Sequence, residues 1–323
     1  MAYKIHGFRE VIFSVRDIDR DLVIYSKLGG WTATEKDKLS NSQLSFWNLP
    51  SQTTGETALL KYPGRENGIV RLVSFKNVAQ KHIRAHAQSW DTGGIYDVDI
   101  RVLDVKKKME AFQYYGWTGF SDVEEYQFNE FHVSEILIRG NEDMVFALIQ
   151  RHAPTLEGYP MLEEMSQVFN SSQIVKSLEM SKSFYMDKLG FTEYANYEAK
   201  NGEAGPNIFG IPYDVYPNVV RKISILSPNG TNEGSVELVE LEGLGGRDFS
   251  KDAIAPNLGI LTLRFPVDNL IEYVDSLKAK GVKIEKQISR IDISPYEDVD
   301  MAAIKTPDGV WLEFMESVTS SYE

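Results

Sequence analysis

Residues 11–31, VIFSVRDIDRDLVIYSKLGGW, carry the arrangement that decides the fold, because it returns at residues 171–191 as SSQIVKSLEMSKSFYMDKLGF. Each stretch reads as an alternating strand, an amphipathic helix, then Leu-Gly-aromatic, and Tyr25 and Gly30 reappear as Tyr185 and Gly190. A repeat of this length implies a duplicated structural unit, so any site is to be sought at equivalent positions in each copy. Weaker copies stand at residues 98–117 (VDIRVLDVKKKMEAFQYYGW) and 263–282 (LRFPVDNLIEYVDSLKAKGV). Together the four units tile the chain.

Within the first unit, Val11, Phe13 and Val15 alternate with Ile12, Ser14 and Arg16, the period of a strand with one face buried more deeply. Asp17 is an N-cap type residue, Leu22, Ile24 or Val23, and Leu28 supply an apolar side, and Gly29 and Gly30 stop the helix. Strands are predicted next at residues 31–34, 44–47, 58–61 and 69–75. The second unit closes with strands at 131–139 and 144–150 around the turn Gly140-Asn141. The third closes at 222–226 and 235–241. The fourth closes at 301–305 and 310–315 around the Pro-Asp-Gly turn signal Thr306 to Gly309. Residues 151–160, with two prolines and no periodicity, read as a linker between a domain at 1–150 holding units one and two and a domain at 161–323 holding units three and four. An insertion at 201–218 reads equally as a cavity cover or a surface loop, and residues 50–57 form a second candidate lid.

A formal charge of −13 argues against a nucleic-acid groove or an anionic membrane surface, both of which need fields of Lys and Arg. The expected partner is a small uncharged or weakly charged ligand, with a homodimer left open. The absence of cysteine removes disulfides, thiolate metal ligands and a Cys nucleophile. No apolar run is long enough to span a membrane, and residues 1–13 lack a signal peptide's apolar core, so a soluble cytoplasmic protein is expected.

The strand-Asp-helix pattern ending in Tyr-xxx-Leu-Gly-aromatic, with the closing TPDGVWLEF of residues 306–314, resembles the βαβββ modules of the vicinal oxygen chelate superfamily, which includes glyoxalase I, extradiol dioxygenases and bleomycin-resistance proteins. The resemblance covers essentially the whole chain. It implies an α+β fold of four βαβββ modules forming two pseudo-twofold, barrel-like cups of mixed sheet with helices outside, built here from consecutive modules. In metal-dependent members the ion is held by residues of the first and last strands of each module. Matching those positions gives Glu10, Asp97, Asn170 and Thr262 on first strands and Arg71, Ala147, Glu237 and Glu313 on last strands. None is histidine, whereas an iron or zinc site of this kind uses imidazole and carboxylate ligands. No metal ligand and no cofactor is therefore expected, with Mg2+ or Mn2+ the alternative for the all-oxygen set Asn170, Glu237, Thr262 and Glu313.

Two functional readings follow. In the first, the protein is a lyase or isomerase acting on a small oxygenated metabolite without the usual His-ligated metal. Glu237 and Glu313 face each other across one cup as acid and base, and Asn170 and Thr262 hydrogen-bond the substrate oxygen. In the second, it is a metal-free small-molecule binding or sequestering protein of the bleomycin-resistance type. Glu10, Arg71 and Asp97 would line the other cup, with a Glu10–Arg71 ion pair standing where the ion would be, and Trp47 and Trp311 would rim the grooves. Trp90, Tyr96, Phe209, Tyr213 and Tyr216 are further rim aromatics that core packing explains equally well. His82 and His86 have a helical i, i+4 metal spacing, yet a solvated connector helix is the better reading. His132 and Glu135, three apart in a strand, fall on opposite faces. No dinucleotide, Walker A or Gly-x-Ser-x-Gly sequence is present.

Overall fold

A computed structural model describes residues 3–159, 162, 164–200 and 202–316. The fourfold sequence repeat is visible in its helices. They run Ile18–Gly29, Val105–Gln113, Leu178–Ser183 (continued by a π-helical turn, Phe184–Leu189) and Leu270–Ala279. Each begins where a short polar side chain accepts a backbone N–H two or three residues on: Asp17 from Arg20, Asp104 from Lys107, Ser177 from Met180 and Asn269 from Glu272. After each helix a glycine takes positive φ, Gly30 at 65° and Gly190 at 87° among them, which closes the helix and turns the chain. The next residue, Trp31, Trp117, Phe191 or Val282, is buried.

Among the described residues nineteen strands form two mixed sheets, of ten and nine strands. The opening strands of the modules are Glu10–Ser14, Asp97–Val102, Met165–Ile174 and Gly259–Asp268. The closing strands are Ile69–Lys76, Val145–Ala153, Ser235–Glu242 and Trp311–Glu316. In every module the closing strand lies parallel beside the opening strand. Two opening strands then meet antiparallel at the centre of each sheet, which gives each cup its pseudo-twofold.

The modules that meet are not consecutive. Glu10–Ser14 pairs with Gly259–Asp268, so modules one and four share one cup, and Asp97–Val102 pairs with Met165–Ile174, so modules two and three share the other. The expected division at 151–160 into 1–150 and 161–323 thus separates the chain in sequence, while each sheet draws strands from both sides of it. Consecutive modules meet instead through the helix layer. Rings of modules one and two touch at Phe13–Phe146 (5.8 Å) and Tyr25–Phe146 (5.6 Å), and rings of modules three and four at Phe191–Phe265 (5.6 Å). The alternation explains both faces: Val11, Phe13 and Val15 enter this helix-side core, while Ile12 belongs to a separate cluster inside the one–four cup.

Local differences from the sequence reading have local causes. Residues 44–47, expected as a strand, belong to a helix, Asn41–Phe46, and its cap, because the Ser40 hydroxyl accepts from the Gln43 amide and starts a turn. The stretch around His82 and His86 is a turn rather than a helix; His82 bridges Leu258 and hydrogen-bonds Asp143 at 2.6 Å. Residues 50–57 run into a strand, Thr54–Lys61, and the linker begins only after the closing strand ends at Ala153, with 160 and 161 outside the described residues. Among the described residues no helix is long and apolar enough to cross a membrane.

One glycine ties the cups together. Gly68 sits at φ 66°, its carbonyl accepts the Val168 amide (3.3 Å), and a Cβ there would lie 1.9 Å from the Val168 oxygen. Gly68→Ala is expected to cost about 2 kcal/mol or more, because it combines a left-handed conformation with a backbone clash. Urea unfolding of the two proteins measures the difference.

Candidate functional site in the cup of modules two and three

The matched positions separate between the two cups. Glu10, Arg71, Thr262 and Glu313 lie in the one–four cup, and Asp97, Ala147, Asn170 and Glu237 in the two–three cup. Glu237 and Glu313 therefore stand in different sheets and do not face each other, which corrects the expected acid–base pair. The reason is the choice of strand partners: the opening strand of module three pairs with that of module two and not with that of module four.

The one–four cup is closed by its own charges. Arg71 binds both oxygens of Glu10, at 2.8 and 2.7 Å, so the expected Glu10–Arg71 ion pair is present. Arg264, two residues beyond Thr262 on the same strand face, reaches Glu10 at 2.5 Å and Glu313 at 3.0 and 2.7 Å. Trp47 donates its indole N–H to Glu313 (2.6 Å), and the Tyr296 hydroxyl donates to Glu10 (2.7 Å). Glu10, Arg71, Arg264 and Glu313 are fully buried. Two carboxylates and two guanidiniums make the quartet neutral, and its charge-assisted bonds satisfy both acids. Burial works to raise the Glu10 pKa, but Arg71 and Arg264 outweigh it and hold the group down to about 2. Thr262 donates to the Trp311 carbonyl (2.8 Å), and Trp311 is packed into the cup's apolar cluster. Of the residues assigned to substrate, Glu10, Arg71, Thr262, Trp47 and Trp311 thus serve the interior of this cup.

The two–three cup is open. A cavity of about 410 Å³ is lined by Asp97, Asn170 and Glu237 and also by Asp99, Glu135 and Tyr96. Asp97 and Asp99 point inward because they alternate with Val98 and Ile100, which enter the helix-side core. Ser172, opposite Asp97 on one side and Glu237 on the other, links the two acids: its amide donates to Asp97 (3.2 Å) and its hydroxyl to Glu237 (3.3 Å). Tyr126 donates to Glu135. Among the described residues none of these four acids forms an ion pair. Burial pushes Asp97 up to about 6, against the pull of the Ser172 hydrogen bonds. Burial likewise lifts Glu135 to about 7 and, with the neighbouring charges of Asp97 and Glu135, lifts Glu237 to about 8. Asp99 is raised well above the usual range, by burial and then by Asp97. The cover is the insertion at 201–218, from which Asn207, Phe209 and Tyr216 line the cavity; Asn207 is pinned by hydrogen bonds to Ile211 (2.8 and 3.0 Å). Residue 201 lies outside the described residues.

Neither donor set fits the metal that the resemblance implies. In the one–four cup, guanidinium nitrogens occupy both carboxylates. In the two–three cup the four matched positions hold Asp97, Ala147, Asn170 and Glu237, with no imidazole. No three His, Asp or Glu side chains among the described residues are placed to hold an ion. His132 does not line the cavity; it pairs with Glu125 (2.8 Å).

Comparison with known proteins agrees with this architecture. Residues 167–314 match the family model described as Glyoxalase/Bleomycin resistance protein/Dioxygenase superfamily. The chain carries a domain of this superfamily. Its fold is similar to that of glyoxalase I from Zea mays, at 16% identity over 97% of this chain and 93% of that chain with a TM-score of 0.63. It is also similar to a putative dioxygenase from Bacillus subtilis, at 10% identity over 97% and 86% with a TM-score of 0.58. At such identities the likeness concerns fold alone. No curated protein matches the chain. The matched segment comprises module three, from one cup, and module four, from the other, so the superfamily domain as a sequence unit and the cup as a spatial unit are different things here.

Asp99, Glu135 and Arg264 escaped the positional reading because each lies off the superfamily's matched positions. The signal for Asp99 was nonetheless present: residues 97–101, DVDIR, alternate strictly, so Asp99 shares the Asp97 face.

Two expectations test this description. Arg264→Met leaves Glu10 and Glu313 buried beside a single guanidinium and is expected to cost about 3–5 kcal/mol, the cost of breaking a buried ion pair; denaturant unfolding reads it directly. Glu237 has a folded pKa above its unfolded one, so the folded state holds a proton that the unfolded state has released, and stability falls as pH rises from about 4.5 to about 8. Glu237→Gln removes that loss. Its thermal midpoint relative to the parent is expected to rise by on the order of 2 °C or more between pH 5 and pH 8, against a flat difference if the carboxyl ionises normally.

Proposed function

We propose that this protein binds a small oxygenated organic molecule in the cavity between modules two and three, without a His-ligated metal, while the one–four cup serves as a closed structural counterpart. The observation that supports this most is the contrast between equivalent positions of a duplicated fold. In one cup they neutralise one another and fill the centre, and in the other Asp99 and Glu237 stand where Arg264 and Arg71 would be, beside a cavity of about 410 Å³ in which they, Asp97 and Glu135 have no ion-pair partners among the described residues. A cavity of this size, mostly apolar with a few convergent polar groups, suits a metabolite-sized ligand. A thermal-shift screen of small carbonyl and hydroxy compounds tests the reading, with Ala195→Trp as the comparison because Ala195 lines the cavity. Compounds that stabilise the parent are expected to lose their effect in that variant. If hits act equally on both proteins, the cavity is not their site.

The Ser172 bridge favours an enzyme over a pure binding protein. Burial raises both acids and the charge of Asp97 raises Glu237 further, which disfavours ionising the two together and leaves a carboxylate beside a carboxyl, the condition for a base and an acid acting on one substrate. The Asp97 carboxylate would take the proton from carbon beside a carbonyl as Glu237 donates its proton to the carbonyl oxygen, which is the first half of an isomerisation or elimination. Incubation with dihydroxyacetone in D2O, followed by NMR, is expected to show deuterium entering at the carbinol carbon. Asp97→Asn should lower that rate at least about 100-fold, the usual contribution of a positioned base. Exchange unaffected by that change returns the protein to the binding class.

A further inference from the structure

The lining of the two–three cavity carries more acids than cations, and the buried Arg84 behind it, packed on the Tyr96 ring at 5.1 Å and acting on Asp97 from there, spends its N–H groups on the Gly93 and Asp91 carbonyls. The lining includes six carboxylates, Asp97, Asp99, Glu124, Glu125, Glu135 and Glu237, against three arginines. Those arginines have contacts of their own, though among the described residues only Arg101 has a carboxylate partner. Arg101 pairs with Glu233 (2.9 Å), donates to Tyr159 (2.7 Å) and stacks on Phe169 at 3.6 Å; Arg151 lies over Phe131 at 4.7 Å; and Arg221 donates to Tyr216. The equivalent cup solves the same problem with Arg264, which there sits opposite Glu10; its counterpart here, two residues beyond the matched position, is Asp99. A second feature points the same way. Tyr96 lines the cavity next to Asp97, its side chain is 2% exposed, and its buried hydroxyl has no hydrogen-bond partner among the described residues. A buried hydroxyl left unpaired carries a cost that an N–H donor entering the cavity would remove.

We infer that the cavity takes a ligand carrying a cationic nitrogen, an amine or guanidine, whose charge is met by Asp97, Asp99 and Glu237 and whose N–H donates to Tyr96. This inference rests on the reading of the cavity as a small-molecule site and names the ligand class. Aromatic walls from Tyr126, Phe209 and Tyr216 add faces on which a desolvated cation is favoured. An anionic ligand would add like charge to an already acidic lining. A neutral ligand would leave the acids to neutralise themselves by holding protons, as burial makes them do when the cup is empty. A cation replaces those protons, so its binding releases them and weakens as the pH falls.

The test uses the full chain and three probes of one shape: benzylamine, benzyl alcohol and benzoate, titrated by NMR at pH 8 and pH 5, with Ala195→Trp locating the binding. Benzylamine is expected to bind at least about tenfold more tightly than benzyl alcohol at pH 8. That preference should shrink at pH 5 and disappear in the Asp97→Asn/Glu237→Gln double variant, whose fold is checked by circular dichroism. Tyr96→Phe, a milder change, should weaken benzylamine more than benzyl alcohol. Equal or tighter binding of the alcohol or the benzoate in the cavity overturns the inference and leaves the small-molecule reading standing. If no probe binds the parent in the cavity, or benzylamine binds it and Ala195→Trp alike, the inference fails. The thermal-shift screen then decides the broader reading separately.

Discussion

Four fully buried charges, Glu10, Arg71, Arg264 and Glu313, hold the middle of one cup, and the pairing of modules one and four is what brings them together. A buried carboxylate without a partner is costly, and two of them sharing a site are worse. Placing module four beside module one gives each acid its guanidinium and each guanidinium its acid. It also leaves modules two and three to pair with each other, and so creates the second cup around a set of residues that has no such mutual neutralisation. The contrast between a filled cup and an open one therefore follows from where two arginines fall.

Duplication makes this contrast informative. Equivalent backbone positions in the two cups have the same strand geometry, so differences between them belong to the side chains. Thr262 and Arg264 correspond to Asp97 and Asp99, and Arg71 corresponds to Glu237. One set is charge-balanced and fully buried. The other concentrates acids, raises their pKa values by burial and like charge, and leaves a volume that protein atoms do not fill. Guanidiniums balance the carboxylates of one cup, and burial favours protonated carboxyls in the other.

The insertion supplies one wall of the open cup, through Pro206, Asn207, Ile208, Phe209 and Tyr216. Its backbone is fixed by Asn207, whose side chain bonds both the amide and the carbonyl of Ile211, and Phe209 is thereby presented to the cavity. The wall opposite is the strand Glu124–Phe128, which adds Tyr126 and its hydrogen bond to Glu135. In the one–four cup the indole of Trp47 and the hydroxyl of Tyr296 point into the charge quartet instead.

What the sequence by itself determined is everything that depends on near neighbours along the chain. Capping residues such as Asp17 and Ser177, glycines such as Gly30 and Gly190 with their positive φ, and the alternation of Val11, Phe13 and Val15 specify four modules, because each signal acts within a few residues. Counting from those signals also reached Asp97, Asn170 and Glu237, three residues that share the cavity. Only the tertiary structure decided which modules share a cup, and with it the separation of Glu237 from Glu313 and the burial of Trp47 and Trp311. Strand edges have the same hydrogen-bonding groups in every module, so the choice of partner rests on charges brought together from residues 10, 71, 264 and 313, a long-range sum that no local pattern carries.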